Sequence, residues 1–216
     1  MKDPDRDVIA LAGEQPLAQG RMRLVFRHPH DPGLLVKVIR PDVIGKRWGE
    51  EKQWYKMRRR YGHYVSYVRE FEEYIAGCAG HGSPLSFAQK IIGFANTDLG
   101  LGLVMEAVLD EDGQLAPTLA TLAKRRGIDA EMRAEIGSFL EDLIASKLIV
   151  ADLNPTNIVR GAAPGGGHRL VVIDGLGLST ILPFKLIPAL NRASKRKRAA
   201  ALWKRLERLS NLPPKH

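Results

Sequence analysis

Leu148-Ile149-Val150-Ala151-Asp152-Leu153-Asn154-Pro155-Thr156-Asn157-Ile158-Val159 is followed, ten residues on, by Leu170-Val171-Val172-Ile173-Asp174-Gly175. Asp152 and Asn157 stand five residues apart in a loop between apolar segments. The two apolar runs after them form a hairpin whose turn is Pro164-Gly165-Gly166-Gly167. Asp174 closes the second run and is followed at once by Gly. Taken alone, D-x-x-x-x-N is a common pattern, because an Asx-rich loop often does no more than cap its own turns. Its meaning depends on what the rest of the chain places around it.

Upstream, residues 8–17 read as a strand entering the turn Ala18-Gln19-Gly20, and 22–27 as a second strand. The cluster His28-Pro29-His30-Asp31-Pro32-Gly33 is dense in turn formers, and 34–39 is a third strand stopped by Pro41. Short strands joined by tight turns predict an antiparallel sheet. Lys37 lies inside the third strand among apolar neighbours. Lys is rarely buried without a partner, so it is either on an exposed face or paired. Residues 45–60 have a helical composition, and 67–79 predict a second helix with Phe71, Tyr74, Ile75 and Cys78 on one apolar face. That helix offers Glu70 as a partner for Lys37, with Glu72 and Glu73 as alternatives. Strands at 88–95 and 102–108 complete the first half. Glu106 and Val108 end the second of them, at a point where backbone groups could meet a flat ligand edge, although a plain core strand reads the same way.

After Asp110-Glu111-Asp112-Gly113 the composition turns helical. Helices are predicted at 118–126 and 130–147; in the latter Ile136, Phe139, Leu140, Leu143 and Ile144 keep the spacing of a core helix. This places a boundary near 108–113 and divides the chain into residues 1–108 and 109–216.

The formal net charge of +9 is concentrated in two patches. Nine Lys/Arg against Glu207 lie between Lys185 and Arg208, and seven Lys/Arg against Glu50 and Glu51 lie between Lys46 and Arg60. In the first patch Ala199, Leu202, Trp203, Leu206 and Leu209 fall on one helical face. Such a helix would lie on an anionic membrane surface, hold an anionic glycolipid, or pack its apolar side on the protein with its charges solvated. The pI of about 9.8 also admits nucleic acid, as a weaker reading. Cys78 is the single cysteine, so neither an intrachain disulfide nor a Cys-rich zinc site is possible. The first seven residues carry no apolar leader, and no run reaches the ~20 apolar residues of a span. The default setting is therefore cytoplasmic, with peripheral attachment at an inner membrane as a variant. There is no G-x-S-x-G, no G-x-x-x-x-G-K-[ST], and no His pair at metal-ligand spacing, which sets aside serine hydrolases, P-loop NTPases and zinc enzymes.

The order Gly turn, strand Lys, helix Glu, linker, D-x-x-x-x-N, strand-Asp-Gly resembles the protein-kinase-like superfamily over essentially the whole chain. More specifically the chain resembles the YrbL family, the PhoP regulatory network protein family of Gram-negative bacteria. Glu14-Gln15-Pro16-Leu17-Ala18-Gln19-Gly20, Arg69-Glu70-Phe71, Asp110-Glu111-Asp112-Gly113, Leu153-Asn154-Pro155-Thr156-Asn157-Ile158 and Gly177-Leu178-Ser179-Thr180-Ile181-Leu182-Pro183 carry that resemblance, together with Trp203-Lys204-Arg205. It implies an α+β class: a compact, bilobal kinase-like fold with an N-terminal antiparallel sheet plus helix and a short, mostly helical C-terminal lobe. It implies ATP and Mg²⁺ as cofactors, and roles for single residues. Lys37 would contact the α/β-phosphates, oriented by Glu70, and Gly20 would let the first turn approach them. Backbone groups of Glu106 and Val108 would meet the adenine edge. Asp152 would accept the proton of an acceptor hydroxyl, and Asn157 and Asp174 would bind the metal.

The departures are equally specific. The glycine loop has only Gly20, Val150 stands where kinases usually have His, Asn154 where many have Lys, and Asp174-Gly175-Leu176-Gly177 replaces D-F-G. No A-P-E segment is visible, and the stretch after Asp174 is short for a peptide-binding region. The expectation is a phosphotransferase acting on a non-protein hydroxyl, such as a saccharide or envelope lipid. A pseudokinase or nucleotide-binding scaffold is the alternative.

Overall fold

The computed structural model describes residues 8–48, 60–81, 86–177 and 187–211. The predicted helix at 45–60 and the motif at 177–183 lie largely outside these residues, as does Lys185. The described chain divides into two compact units, one of residues 1–68 and 90–107, the other of 69–89 and 108–216.

The first unit is built on a six-stranded sheet in the order β1-β5-β6-β4-β3-β2. β1 (Val8–Ile9), β2 (Ala18–Gln19), β3 (Arg23–His28) and β4 (Asp31–Ile39) come from its N-terminal part; β5 (Ile91–Thr97) and β6 (Gly100–Glu106) return to it later. All neighbours are antiparallel except β1 on β5. The turn between β3 and β4 is tighter than the string of turn formers predicts, since His28 already faces Asp31. Pro41 ends β4 and begins α1 (Pro41–Trp48), where its fixed φ suits a first helical position. The predicted strand at 8–17 is only two residues long. Leu11 and Ala12 donate their N–H groups to the Asp98 carboxylate at 2.8 and 2.9 Å, which turns the chain away from the sheet and holds that carboxyl below its usual pKa. Phe26, Val36, Val38, Ile9 and Leu11 form the core against the sheet.

α2 (Val65–His81) begins in the first unit and continues into the second. Its buried positions are Tyr67, Glu70, Glu73 and Gly77. The apolar face expected from Phe71, Tyr74, Ile75 and Cys78 is half-buried, and Ile75 is exposed. The helix thus turns two carboxylates inward, on a face about a quarter turn from the one that counting apolar residues predicts.

In the second unit α3 (Leu119–Arg126) is capped by Thr118, whose side chain accepts the Thr121 N–H, and α4 (Ala130–Ala145) by Asp129, which accepts that of Met132. β7 (Ile158–Ala162) and β8 (His168–Val172) form the predicted hairpin. α5 (Pro188–Ser210) supplies Ala199, Leu202 and Leu206 to the core made by α3, α4 and the hairpin. The packed alternative for the apolar side of the basic helix is therefore the one found. No helix among the described residues is long and apolar enough to cross a membrane.

Candidate active site

The loop of Asp152 is shaped by alternation. Leu153, Pro155 and Ile158 are buried, which anchors the loop and leaves Asp152 exposed and Asn157 half-buried. Pro155 opens a 3₁₀ turn, Pro155–Asn157, and Asn154 caps it: its side chain accepts the Thr156 N–H and its carbonyl accepts the Asn157 N–H at 2.8 Å. Asn154, at the position where many kinases carry Lys, is thus a turn cap in this fold.

Asp174 comes beside this loop through its own Gly. The Gly175 carbonyl accepts the N–H groups of Ala151 at 2.7 Å and Asp152 at 3.1 Å, while Asn157 accepts the Ile173 N–H on its carbonyl at 2.9 Å. Gly175 has φ +87°, and a Cβ there would overlap the Asp152 carbonyl. Only Gly fits that backbone at that distance. The Asn157 amide reaches the Asp152 carbonyl at 3.5 Å, and Asp174 accepts the Gly175 N–H at 2.7 Å. The structure therefore brings Asp152, Asn157 and Asp174 to one loop cluster. Their oxygens are hard donors of the type Mg²⁺ takes when phosphates complete its shell. Among the described residues no group of three or more His, Cys, Asp or Glu side chains could hold a metal by itself. Asn157 and Asp174 are the two side chains of the cluster that could contribute oxygens to such an ion.

The segment that enters this cluster is held by buried polar side chains, two of which, Lys195 and Asn191, no motif singles out. Lys195 of α5, 1% exposed, donates to the carbonyls of Leu143 at 2.7 Å and Ser146 at 2.6 Å, at the C-terminal end of α4. Asn191 donates to the carbonyls of Lys147 and Leu148 at 3.2 and 3.1 Å. Glu73 of α2 accepts the Ile149 N–H at 2.7 Å. Gly177 donates to the Ile149 carbonyl at 2.8 Å, and a Cβ on it would press on Arg69, so two of the sequence motifs pack directly together. Burial pulls the Lys195 ammonium down to a pKa of about 8, opposed by the Glu73 charge. On the far side of the loop, Arg160 of β7 makes a two-pronged ion pair with Glu135 of α4 at 2.7 and 2.6 Å. A run of Lys/Arg reads as solvated surface, so nothing local marked Lys195; Arg205 at least lay in the Trp203-Lys204-Arg205 motif. Arg205 is 3.9 Å from the Asp152 carboxylate.

In the first unit, Lys37 is 5% exposed in β4, between Val25 of β3 and Leu103 of β6, which removes the exposed-face alternative. Its carbonyl accepts the Tyr67 hydroxyl at 2.8 Å. Gly20 donates to the Arg23 carbonyl at 2.8 Å in the turn before β3; a Cβ there would make an ordinary 3.6 Å contact, so the fold alone does not demand Gly. Glu106 ends β6 opposite Leu34 and donates its N–H to the Lys90 carbonyl at 3.0 Å. In the second unit Glu70 is 4% exposed on α2, while its alternatives differ from it: Glu73 is spent on Ile149 and Glu72 is exposed. Val108 is buried beside Gly161, where any side chain would strike it, and its carbonyl accepts the Ala116 N–H at 2.9 Å.

Comparison with known proteins agrees with this architecture. Residues 9–209 match the family described as PhoP regulatory network protein YrbL, and the chain belongs to that family. The uncharacterized protein YrbL of Escherichia coli (strain K12) is 26% identical over 201 residues, covering 92% of this chain and 86% of that protein. YrbL of Shigella flexneri gives the same values. Among solved structures, Rad53 1-466 in complex with AMP-PNP is similar with a TM-score of 0.52 and 15% identity, over 91% of this chain. This chain spans half of that one, and the likeness establishes a kinase-like fold.

Proposed function

We propose that this YrbL-family chain is a kinase-like phosphotransferase that moves the γ-phosphate of ATP to a hydroxyl of a non-protein acceptor, such as a saccharide or envelope lipid. The observation that carries the reading is the Asp152 loop. An exposed carboxylate is fixed by backbone bonds to Gly175, and two further oxygen-bearing side chains are drawn to the same backbone. The family, the fold likeness to a structure holding AMP-PNP, and buried Lys37 support it.

Asp152 takes the proton from the acceptor hydroxyl as that oxygen attacks the γ-phosphorus. The bond from the phosphorus to the β-γ bridging oxygen breaks, and ADP leaves with the electron pair. Such transfers need placement more than covalent help, which is what an anchored loop provides. Asn157 and Asp174 would hold Mg²⁺, whose charge offsets that of the phosphates. Lys37 contributes a cation to the α/β-phosphates, Glu70 orients it, Gly20 lets the first turn approach, and Glu106 and Val108 meet the adenine through their backbone.

A nucleotide-binding module without transfer is the second reading. It is favoured by Arg205, whose guanidinium stands 3.9 Å from the Asp152 carboxylate and would compete with an acceptor for it. Thermal-shift titration of the full chain with ATP, with and without Mg²⁺, tests what both readings share. A metal-dependent rise in melting temperature at millimolar ATP is expected, and its absence would count against both. Transfer from γ-labelled ATP to cell-envelope fractions then separates them.

A further inference from the structure

Beside Asp152 the second unit has a cleft of about 280 Å³. Lys124 from the last turn of α3, Asn154 and Thr156 from the loop, and Arg205 and Arg208 from α5 line it. Three cationic side chains border one small space together with Ala120, Pro155 and Leu209, and no Asp or Glu is among its lining residues. Lys124 and Arg208 meet no carboxylate in that lining, and like charges placed together favour an anion between them. Arginine guanidinium groups are the side chains best shaped to hold phosphate oxygens two at a time. One residue joins this cleft to the proposed chemistry: Arg205 lines it and also stands 3.9 Å from the Asp152 carboxylate.

We propose that this cleft is the acceptor site and that the acceptor carries a phosphomonoester in addition to the hydroxyl it offers. The inference rests on the reading of Asp152 as the base. The phosphomonoester sits on Arg205, Arg208 and Lys124, and Asn154 and Thr156 supply neutral hydrogen-bonding groups. The volume is several times that of a phosphate, so part of the acceptor lies in the cleft with it and the hydroxyl-bearing end extends along Arg205 toward Asp152. The anion also offers the Arg205 guanidinium a second partner beside Asp152. Both Arg205 and Asp152 are about half exposed, so their 3.9 Å contact is weak enough to be exchanged.

Calorimetric titration of the full chain with glycerol 3-phosphate, and with glycerol as the uncharged control, tests the proposal. Glycerol 3-phosphate is expected to bind and glycerol not. The Arg205→Ala/Arg208→Ala double variant should weaken that binding about tenfold or more. The Lys197→Ala/Lys204→Ala double variant, which removes an equal charge from exposed positions outside the cleft, should leave it unchanged. Repeating the titration with saturating Mg-AMP-PNP should not displace the probe. A second arm uses phosphatidylcholine vesicles with and without phosphatidic acid; binding confined to the phosphatidic acid vesicles identifies a lipid phosphomonoester as the source, and binding of the soluble probe a free one. Unchanged affinity in the Arg205→Ala/Arg208→Ala variant, equal loss with Lys197→Ala/Lys204→Ala, displacement by Mg-AMP-PNP, or no binding of either probe would overturn the acceptor site. Phosphate binding that obeys the variants in a chain with no Mg-ATP response would instead keep the anion site and remove the phosphotransfer reading.

Discussion

The Gly175 carbonyl accepts the Asp152 N–H at 3.1 Å, and the Asp152 carbonyl lies where a Gly175 Cβ would be. The two residues are 23 positions apart, yet each fixes the other's backbone. The position of the exposed Asp152 side chain is therefore set by the residue that follows Asp174. Gly175→Ala should strain the positive φ and separate the two loops, at a cost of about 2–4 kcal/mol. Urea denaturation measures that cost. A loss below about 0.5 kcal/mol would show that the loops relax independently.

Asp152 and Asp174 have different tasks in the proposed reaction, and substitutions should separate them. Asp152→Ala removes an exposed side chain and is expected to keep the fold and metal-dependent ATP binding while losing transfer. Asp174→Ala is expected to abolish the Mg²⁺-dependent part of ATP binding. Fluorescence titration with ATP, with and without Mg²⁺, alongside transfer from γ-labelled ATP, reads both. Equal transfer by Asp152→Ala would remove it as the base.

Arg160 and Glu135 tie the strand after Asn157 to α4. The pair is two-pronged and the Arg160 side chain is only 9% exposed, so losing Glu135 leaves a poorly solvated charge with only the longer 3.5 Å contact to exposed Glu131. Each single change to Ala should cost about 2–4 kcal/mol, with a coupling energy of about 1 kcal/mol or more in the double-mutant cycle. Additive costs would show that the pair contributes packing alone.

The reach of the sequence reading follows the range of the forces involved. The β3–β4 hairpin, the helices that begin at Thr118 and Ala130, and the loop from Leu153 to Asn157 are decided by neighbours within a few residues, and they were legible. The inward face of α2 was not, because Glu73 is buried for an N–H 76 positions away and periodicity counts only apolar residues. The parallel pairing of β1 with β5 and the turn that Asp98 imposes on Leu11 are long-range in the same sense. In the candidate site, Asp152, Asn157 and Asp174 could be named from spacing. The side chains that hold their loop come from helices 40 or more residues away along the chain, as Lys195 and Asn191 show.

Lys195 gives the stability of the chain a pH dependence whose sign can be worked out. Burial lowers its pKa from 10.5 to about 8, so below about pH 8 the folded and unfolded chains both carry the proton and the contribution is flat. Between about 8 and 10.5 the unfolded chain keeps a proton that the folded chain has released. Stability therefore rises with pH through that window, since it rises wherever the unfolded state binds more protons. The neutral amine still has N–H donors for the Leu143 and Ser146 carbonyls, so the clamp on α4 persists. Other lysines and the tyrosines titrate in the same range, and Lys195→Met isolates this one. Urea midpoints of both proteins at pH 7, 8, 9 and 10 should differ by an amount that moves in favour of wild type above pH 8. Parallel curves would mean that Lys195 keeps an ordinary pKa and that its burial carries no penalty on its charge.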